Sequence, residues 1–387
     1  MENKKVLLAG DTIDNNDIDR LIEWLKTYPR LTKGPLTEKF EAEWSEYVGT
    51  KQSVFVNSGS SANLLVLSAM IEAGIISRGD KVVVPALSWS TDLAPVIQLG
   101  LKPILCDCNL GDLSIDLSHF TDIISKHKPK ALILVSVLGL VPDMESIVNI
   151  CRDNNIQLIE DTCESIGAEF RGQKLGSFGL AGTFSTYFGH HISTIEGGMI
   201  TTDDEDFTNV LKATRSHGWD RDMDHNQQQN LRKKYNIHDF NSMYTFYYCG
   251  YNLRSTDLQA FIGLGQLDKL KKVIEKRNYN FFRYYNELEL PWKPKIYPDR
   301  RLSNFAYPII HPRKSEIVES LLENSIEVRP LICGSLGLQP YWIKYNGKPT
   351  HLKNAGEADL NGFYIPNHAL LTKDEITRVI DCINKFQ

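Results

Sequence analysis

The chain has few of the features that mark membrane, secreted or nucleic-acid-binding proteins. Its longest mostly apolar run, 131–141, is much shorter than the ~20 residues of a membrane-spanning helix. The opening residues, 1–5, are followed by a short apolar stretch that lacks the core and the cleavage site of a signal peptide. The net charge of −5 is small and no basic stripe is present, so we expect neither nucleic acid nor a membrane as a partner. We expect a cytoplasmic protein.

Cysteine is also scarce, with seven residues that are odd in number and scattered along 387 positions. That distribution is typical of a reducing compartment and predicts no disulfide framework. Only Cys106 and Cys108 lie close together, and no second close pair accompanies them. A metal site of the usual kind needs more ligands at short spacings, so we predict none.

The first two thirds of the chain alternate short apolar segments with segments of helical spacing. Such alternation predicts an α/β fold with a mostly parallel central sheet and helices on both faces. Predicted strands cover 53–56, 81–85, 103–106, 131–137 and 157–161, and two more flank the polar segment 185–198. Ligands of such sheets bind beyond the carboxyl ends of the strands. The residues that directly follow each strand are therefore the first candidates for a site.

The last third has a different pattern. A long helix is predicted from Thr256 to about Arg277, followed by a smaller α+β region with strands at 305–310 and 327–331. We therefore expect a large domain over 1–255, and a connecting helix with a small C-terminal domain over 256–387. Before that boundary, the polar and asparagine-rich segment 220–239 shows no periodicity and is predicted to be a long surface loop.

Small residues follow the first predicted strand, in the run 57–63. Their backbone amides can approach an anion closely, and the helix that follows directs its positive end at the same place. This makes the run a candidate phosphate site, although a serine-capped helix start would look the same. It is neither a Walker loop nor a dinucleotide fingerprint.

Two further strand ends carry side chains suited to a planar, positively charged ring. Trp89 follows the strand 81–85 and can stack on such a ring, although it can equally be a core residue. Asp161 ends a buried strand, where a carboxylate needs a partner; it can hold a protonated ring nitrogen, or serve as a cap or in an ion pair. With Ser185 as a further phosphate ligand, these residues describe a site for pyridoxal phosphate.

A polar turn with two adjacent histidines, His190 and His191, lies between the two strands that flank 185–198. Neighbouring side chains in an extended stretch point to opposite faces, so we expect only one imidazole to face a given pocket. Two incidental histidines of a solvated loop are the alternative.

From about residue 14 to its end, the chain resembles the DegT/DnrJ/EryC/StrS family of sugar aminotransferases, which have fold type I of the pyridoxal-phosphate-dependent transferases. The motifs that carry the resemblance are Ser58–Asn63, Pro85–Trp89, Glu160–Asp161, Phe184–Ser185, Glu196–Gly198, His217–Trp219, Gly250–Arg254 and Arg329–Pro330.

The resemblance assigns roles residue by residue. Gly59, Ser60 and Ser185 would hold the cofactor phosphate, Trp89 would cover the ring and Asp161 would pair with its nitrogen. Family members are dimers with shared sites, so a homodimer is implied in which Asn252 reaches the cofactor phosphate of the partner subunit. Further assignments are Glu164 for the cofactor and, for the substrate, His217, Arg254 and Arg329.

One position departs from the family pattern. Ordinary members carry a lysine, which bonds to the cofactor, where this chain has His190; the nearest lysines, Lys174 and Lys212, lie well outside the turn. An imidazole has no primary amine with which to tether an aldehyde, but it accepts a proton near neutral pH. We therefore expect pyridoxal or pyridoxamine phosphate to be held non-covalently.

His190 and the run 160–168, in which Glu164 stands where ordinary members usually have glutamine, resemble the sugar 3-dehydratase branch of the family. That branch implies removal of the C3 hydroxyl from a nucleotide-linked 4-keto-6-deoxyhexose, here GDP-4-keto-6-deoxy-D-mannose, with L-glutamate regenerating pyridoxamine phosphate. The iron–sulfur cluster of one related dehydrase is not expected, because its four cysteines are not matched. Two alternatives remain: a 4-aminotransferase with histidine in place of lysine, and an inactive relative with a binding role.

Overall fold

The computed structural model of the protein describes residues 5–386, so the start of the chain, on which the signal-peptide argument rests, and residue 387 lie outside the described part. The strands are β1 Gln52–Val56, β2 Lys81–Pro85, β3 Lys102–Cys106, β4 Ala131–Val135, β5 Gln157–Asp161, β6 Glu169–Phe170, β7 Gln173–Lys174, β8 Ala181–Ser185, β9 Gly198–Thr202, β10 Arg300–Arg301, β11 Tyr307–Ile310, β12 Arg329–Pro330 and β13 Gly362–Ile365.

The α-helices are α1 Asn15–Leu25, α2 Pro35–Val48, α3 Gly59–Glu72, α4 Ser90–Gln98, α5 Leu117–His127, α6 Met144–Asp153, α7 Glu205–Arg215, α8 His225–Tyr235, α9 Asp239–Ser242, α10 Asp257–Glu287, α11 Lys314–Glu323, α12 Pro340–Asn346, α13 Lys353–Asn361 and α14 Lys373–Ile383. Within the described residues, none of these helices is long and apolar enough to cross a membrane.

Seven strands form the central sheet, in the order β1-β9-β8-β5-β4-β2-β3. The pairs from β8 to β3 are all parallel, and only β9 runs against both of its neighbours. The predicted mostly parallel sheet is therefore confirmed. The parallel part places the carboxyl ends of β2, β4, β5 and β8 at one edge, and β1 runs in the same direction because it and β8 both pair antiparallel with β9.

Both faces of the sheet are buried, as the near-continuous apolar strands require. Alternate residues of β1 show this directly. Val54 and Val56 belong to the larger hydrophobic cluster, together with Leu65 of α3. Phe55 belongs to a second cluster on the other face, where α2 and α10 supply most of the remaining side chains. These two layers fix the sheet between helices, and the strand ends become the rigid base for a site.

The smaller sheet, in the order β11-β13-β12, is antiparallel and follows α10. Its strands are shorter than predicted, because 305–306 lies before β11 and only Arg329–Pro330 of 327–331 pairs as a strand. The connecting helix is longer than predicted: α10 reaches Glu287, well beyond Arg277.

The prediction of a structureless loop over 220–239 is wrong, because α8 occupies His225–Tyr235. No residue of α8 is buried, so the helix has no apolar stripe and its sequence lacks the periodicity that reveals most helices. The residues at the two ends of α8 do indicate a helix. The side chain of Asp224 caps the first turn, basic residues occupy the last turn, and Asn236 ends the helix in the left-handed conformation.

Candidate active site

A cavity of about 400 Å³ lies at the carboxyl ends of the parallel strands, where the sequence predicted the site. It brings together these predicted residues: Gly59, Ser60, Trp89, Asp161, Glu164, Ser185 and His190. A second cavity, of about 450 Å³, lies between the ends of α3, α7 and α8 and contains none of them. We therefore place the candidate active site in the first cavity.

The start of α3 lies directly after β1 and points its first amides toward this cavity. Ser58 is the N-cap and accepts a hydrogen bond from the amide of Ser61 at 3.1 Å, as predicted for a serine-capped helix start. Gly59 packs so closely on Ser185 and Cys163 that a β-carbon on it would lie 2.8 Å from each side chain. Glycine therefore lets the helix start touch the end of β8. Helix amides without intrahelical acceptors then surround a space suited to an anion.

Trp89 is the N-cap residue of α4, and 53% of its surface is exposed, so it is not a core tryptophan. Its amide donates to the carboxyl group of Asp92 at 3.1 Å, which fixes the backbone that carries the indole. An exposed indole at the edge of the cavity is free to cover a planar ring.

Asp161 is buried at the end of β5 and is held by two donors. The amide of Cys163 donates to Oδ1 at 2.9 Å, and Asn63 Nδ2 donates to Oδ2 at 2.6 Å. The orientation of the Asn63 amide is fixed in turn by the Thr183 hydroxyl, which donates to Asn63 Oδ1 at 2.6 Å. The carboxylate is therefore neither a helix cap nor part of an ion pair with a basic residue, the structural alternatives considered from the sequence.

Glu164 lines the same cavity and accepts a hydrogen bond from the amide of Leu138 at 2.7 Å. Burial, assisted by the nearby Asp161 carboxylate, raises the pKa of Glu164 to about 8. Its carboxyl is thus mostly protonated at neutral pH and can donate as well as accept a hydrogen bond. The neighbouring Glu160 points away, accepting from three backbone amides of 176–179, and holds that turn.

As expected, only one of the two histidines of the turn faces the cavity. His190 lines the cavity, where its ring contacts the ring of Phe305 at a centroid distance of 5.1 Å. His191 is fully buried away from the cavity and its Nε2 bonds to the Ser303 hydroxyl at 2.9 Å. Burial, with the positive charge of Arg277 as the second cause, lowers the pKa of His190 to about 4. The imidazole is therefore neutral at pH 7 and able to accept a proton.

Arg277 of α10 is a functional residue that the sequence did not reveal. Its guanidinium is fully buried and donates to the backbone carbonyl of His190 at 2.6 Å and to that of Phe305 at 2.6 Å. It thereby holds both the turn that presents the imidazole and the aromatic ring packed against it. The separation of 87 positions between Arg277 and His190 hides this contact from sequence patterns.

Asn63 and Asp92 were also missed as site residues, although both line the cavity. Asn63 lay within the predicted phosphate-binding run, and Asp92 lies three positions after Trp89, the spacing of a capping box. That spacing was the only available indication, and it predicts a cap rather than a neighbour of Asp161.

The remaining predicted residues lie outside this cavity in the single chain. His217, Asn252 and Arg254 form a separate group: Arg254 Nε donates to Asn252 Oδ1 at 3.0 Å, and its Nη2 lies 3.4 Å from His217 Nε2. Arg329 is exposed on β12, in register with Tyr364, whose side chain does line the cavity.

In residues 5–386, no group of three or more histidine, cysteine, aspartate or glutamate side chains is arranged to hold a metal ion. The donors of the cavity instead match the parts of pyridoxal phosphate. The start of α3 offers backbone amides to an anion, the exposed indole of Trp89 lies at the edge of the cavity, and the fixed carboxylate of Asp161 lies at its base. The residues present therefore fit that cofactor.

The sequence matches the DegT/DnrJ/EryC1/StrS aminotransferase family over residues 11–384. It is 33% identical over 389 residues to GDP-4-keto-6-deoxy-D-mannose 3-dehydratase of Yersinia pseudotuberculosis, with 98% of each chain covered. A crystal structure of GDP-4-keto-6-deoxymannose-3-dehydratase with a trapped PLP-glutamate geminal diamine has a TM-score of 0.87 and 31% identity, covering 98% of this chain and 100% of that one. A crystal structure of a histidine-to-asparagine mutant of GDP-4-keto-6-deoxymannose-3-dehydratase with bound GDP-perosamine has a TM-score of 0.87 and 30% identity. It covers 98% of this chain and 100% of that one. These similarities confirm the predicted fold.

Proposed function

Because the chain belongs to the DegT/DnrJ/EryC1/StrS aminotransferase family, we propose that it is a pyridoxal/pyridoxamine-phosphate-dependent sugar 3-dehydratase. It removes the C3 hydroxyl of a nucleotide-linked 4-keto-6-deoxyhexose and leaves a 4-keto-3,6-dideoxy sugar. We propose GDP-4-keto-6-deoxy-D-mannose as substrate, because two of the relatives described above are named as 3-dehydratases of that sugar. One observation carries the reaction type. In the described chain the cavity is lined by His190 and by no lysine.

When bound, the amine form of the cofactor supplies an amino group for the C4 ketone and a protonated ring that accepts electrons. Gly59, Ser60 and Ser185 would hold its phosphate at the start of α3, and Trp89 would cover its ring. Asp161 would face the ring nitrogen, where its negative charge would stabilise a proton on that nitrogen. Glu164 lines the same space and offers a protonated carboxyl at neutral pH.

His190 performs the proton transfers in this proposal. Its Nδ1 is shielded and has no hydrogen-bond partner in the described residues, so we infer that Nε2 faces the reacting atoms. A neutral imidazole would accept a proton from the cofactor carbon that carries the amino group, and the resulting imidazolium would pass that proton to the C3 hydroxyl, which leaves as water. Phe305 on one side and Arg277 beneath the turn keep the ring in place.

L-glutamate restores the amine form after each turnover, and the amino group spent on the sugar leaves as ammonia. We propose that the group of His217, Asn252 and Arg254 serves the site of a partner subunit in a homodimer. Its members lie outside the cavity of their own chain, and Asn252 is exposed to solvent. Arg329, next to the cavity residue Tyr364 in register, is a candidate for binding the anion of the substrate or of glutamate.

The domain boundary and the compartment complete the proposal. We propose a cofactor-binding domain over 1–255 and a connecting helix with a small domain over 256–387, supported by the separate antiparallel sheet that follows α10. A cytoplasmic location is supported by the seven free cysteines.

The test is a product analysis of the purified enzyme with pyridoxal phosphate, L-glutamate and GDP-4-keto-6-deoxymannose. We expect the sugar to lose its C3 oxygen while ammonia is released. Nitrogen retained in the sugar would instead identify an aminotransferase, and an unchanged sugar would identify a binding protein. His190→Asn is expected to abolish most of the oxygen loss, whereas His127→Asn, a change at an exposed histidine of α5, is the matched control and should leave it intact.

A further inference from the structure

Asp92 is a second carboxyl group at the base of the cavity, and none of the roles proposed above uses it. It is fully buried and lines the cavity next to the start of α4. Its Oδ2 accepts from the Trp89 amide at 3.1 Å, and its Oδ1 accepts from Asn63 Nδ2 at 3.0 Å. The same Asn63 nitrogen donates to Asp161 Oδ2 at 2.6 Å. One amide therefore joins the two carboxyl groups.

Because Asp92 Oδ1 and Asp161 Oδ2 lie 3.0 Å and 2.6 Å from the same Asn63 nitrogen, the two carboxyl groups are neighbours at the buried base of the cavity. Two ionised carboxylates have only acceptor atoms, so they cannot share a hydrogen bond unless one of them carries a proton. Asp161 already receives donors on both oxygens, from Cys163 N and from Asn63. Asp92 has no exposed surface, whereas 7% of Asp161 is exposed, so burial favours placing the shared proton on Asp92.

We propose that Asp92 is a protonated positioning residue that donates its proton to Asp161, so that the pair presents a single negative charge to the cavity. This inference rests on the proposed function, in which Asp161 faces the ring nitrogen of the cofactor. A carboxylate that already accepts a proton from Asp92 is a weaker base. The proton of the ring nitrogen then stays on the ring, where it makes the ring an electron acceptor.

An ionised Asp92 that only caps α4 is the competing explanation. The helix dipole favours a negative charge at that position, but the effect is modest and confined to the first turn. Burial, and then the negative charge of Asp161, raise the pKa of Asp92 well above its ordinary value, and these effects are the larger ones.

The other titratable groups that face Asp92 add no positive charge. Glu164 on the loop after β5 raises the pKa of Asp92 further when ionised. Cys163 on the same loop, and Cys333 and Tyr341 on the segment before and within α12, have raised pKa values and are neutral at pH 7. The surroundings therefore favour the neutral acid.

Infrared spectroscopy of the full-length cofactor-free protein tests the proposal directly. With aspartate labelled by ¹³C at the side-chain carboxyl, we expect a protonated-acid carbonyl band at pH 7 that shifts on labelling, which separates it from the buried glutamates. Asp92→Asn should remove the band. Asp19→Asn, at an exposed position of α1, is the control and should leave it unchanged.

The interaction of Asp92 with Asp161 is tested by the pH at which the Asp92 infrared band disappears. In Asp161→Asn the negative neighbour is gone, so the Asp92 band should titrate away at a pH lower by about one unit or more than in the wild type. A purely structural cap would not produce this shift. The proposal is overturned if the wild type has no aspartic-acid band at pH 7, or if the band titrates identically in Asp161→Asn.

Cofactor binding gives a second readout through a conservative replacement. Asn is neutral and can still donate to Asp161, so Asp92→Asn should bind pyridoxal phosphate more tightly than Asp92→Ala, by about tenfold. Equal affinities of the two variants would contradict the proposal. Because neither measurement involves the sugar, a failed dehydration assay would overturn the proposed function and leave this test intact.

Discussion

Replacing Arg277 by methionine is the perturbation that most fully tests how the fold controls the imidazole. The guanidinium is fully buried, and no carboxylate pairs with it among residues 5–386. Its hydrogen bonds go to three backbone carbonyls instead, those of His190 and Phe305 at 2.6 Å and that of Asn367 at 3.4 Å. Burial first, and then this charge beside the histidine turn, lower the pKa of His190.

Two effects of opposite sign determine the stability of Arg277→Met. Each of the two short hydrogen bonds from a charged donor contributes about 1.5–3 kcal/mol. Removal of a buried unpaired cation offsets part of that loss, because keeping a cation out of water costs several kcal/mol. We therefore expect the free energy of unfolding to fall by ~2–4 kcal/mol. We also expect the pKa of His190 to rise from about 4 toward its ordinary value of 6.5.

Denaturant unfolding of the cofactor-free protein measures the first effect. The second is read from the dehydration rate between neutral pH and about pH 5, where the variant should lose activity while the wild type does not. Lys272→Met on the same helix is the control, since Lys272 is exposed and its replacement should change stability by less than about 1 kcal/mol. Unchanged stability and an unchanged acid limb in Arg277→Met would refute the reasoning.

Three further predictions concern other parts of the site. Gly59→Ala places a β-carbon 2.8 Å from Ser185 and should weaken pyridoxal phosphate binding in a titration by about tenfold or more, whereas Gly356→Ala, which has open space, should not. Because the pKa of Glu164 is raised to about 8 from 4.5, its contribution to stability is present below pH 4.5 and is lost as the pH rises through 8. Glu164→Gln should therefore show a flatter fall of the unfolding free energy between pH 5 and 8, and parallel curves would contradict this. If sites are shared, mixing inactive His190→Asn and Asn252→Ala chains in equal amounts should restore about a quarter of the wild-type activity, because about half of the dimers are then mixed and one of the two sites in each mixed dimer is intact. No recovery would argue against shared sites.

The central sheet could be predicted because its strands are buried on both faces. Runs such as Ala131–Val135 and 82–85 are apolar, short and separated by helical segments, and that pattern has few other physical explanations. The end of α10 could not be predicted, since the polar and aromatic residues after Arg277 follow the needs of packing against the small domain. The exposed helix α8 was not predicted, because a helix without a buried face has no stripe of apolar residues at helical spacing.

The candidate site divides in a similar way. Residues at strand ends, such as Asp161 and Ser185, were predicted because parallel strands bring their carboxyl ends together at one edge of the sheet. The residues that hold them were not. Asn63 lies 98 positions from Asp161, and Arg277 lies 87 from His190, and no local pattern specifies such contacts. Asp92 was not predicted as a site residue for another reason: its spacing from Trp89 is already explained by a capping box at the start of α4.

The most direct test of the central claim is to look for a covalent bond between cofactor and protein. After incubation with pyridoxal phosphate and reduction with borohydride, peptide mass spectrometry should find no modified lysine in the wild type, and a modified residue at position 190 in His190→Lys. That variant should also lose dehydration activity by at least ~10²-fold, because the acid–base group is gone. A modified lysine in the wild type, or dehydration by His190→Lys at the wild-type rate, would contradict the account.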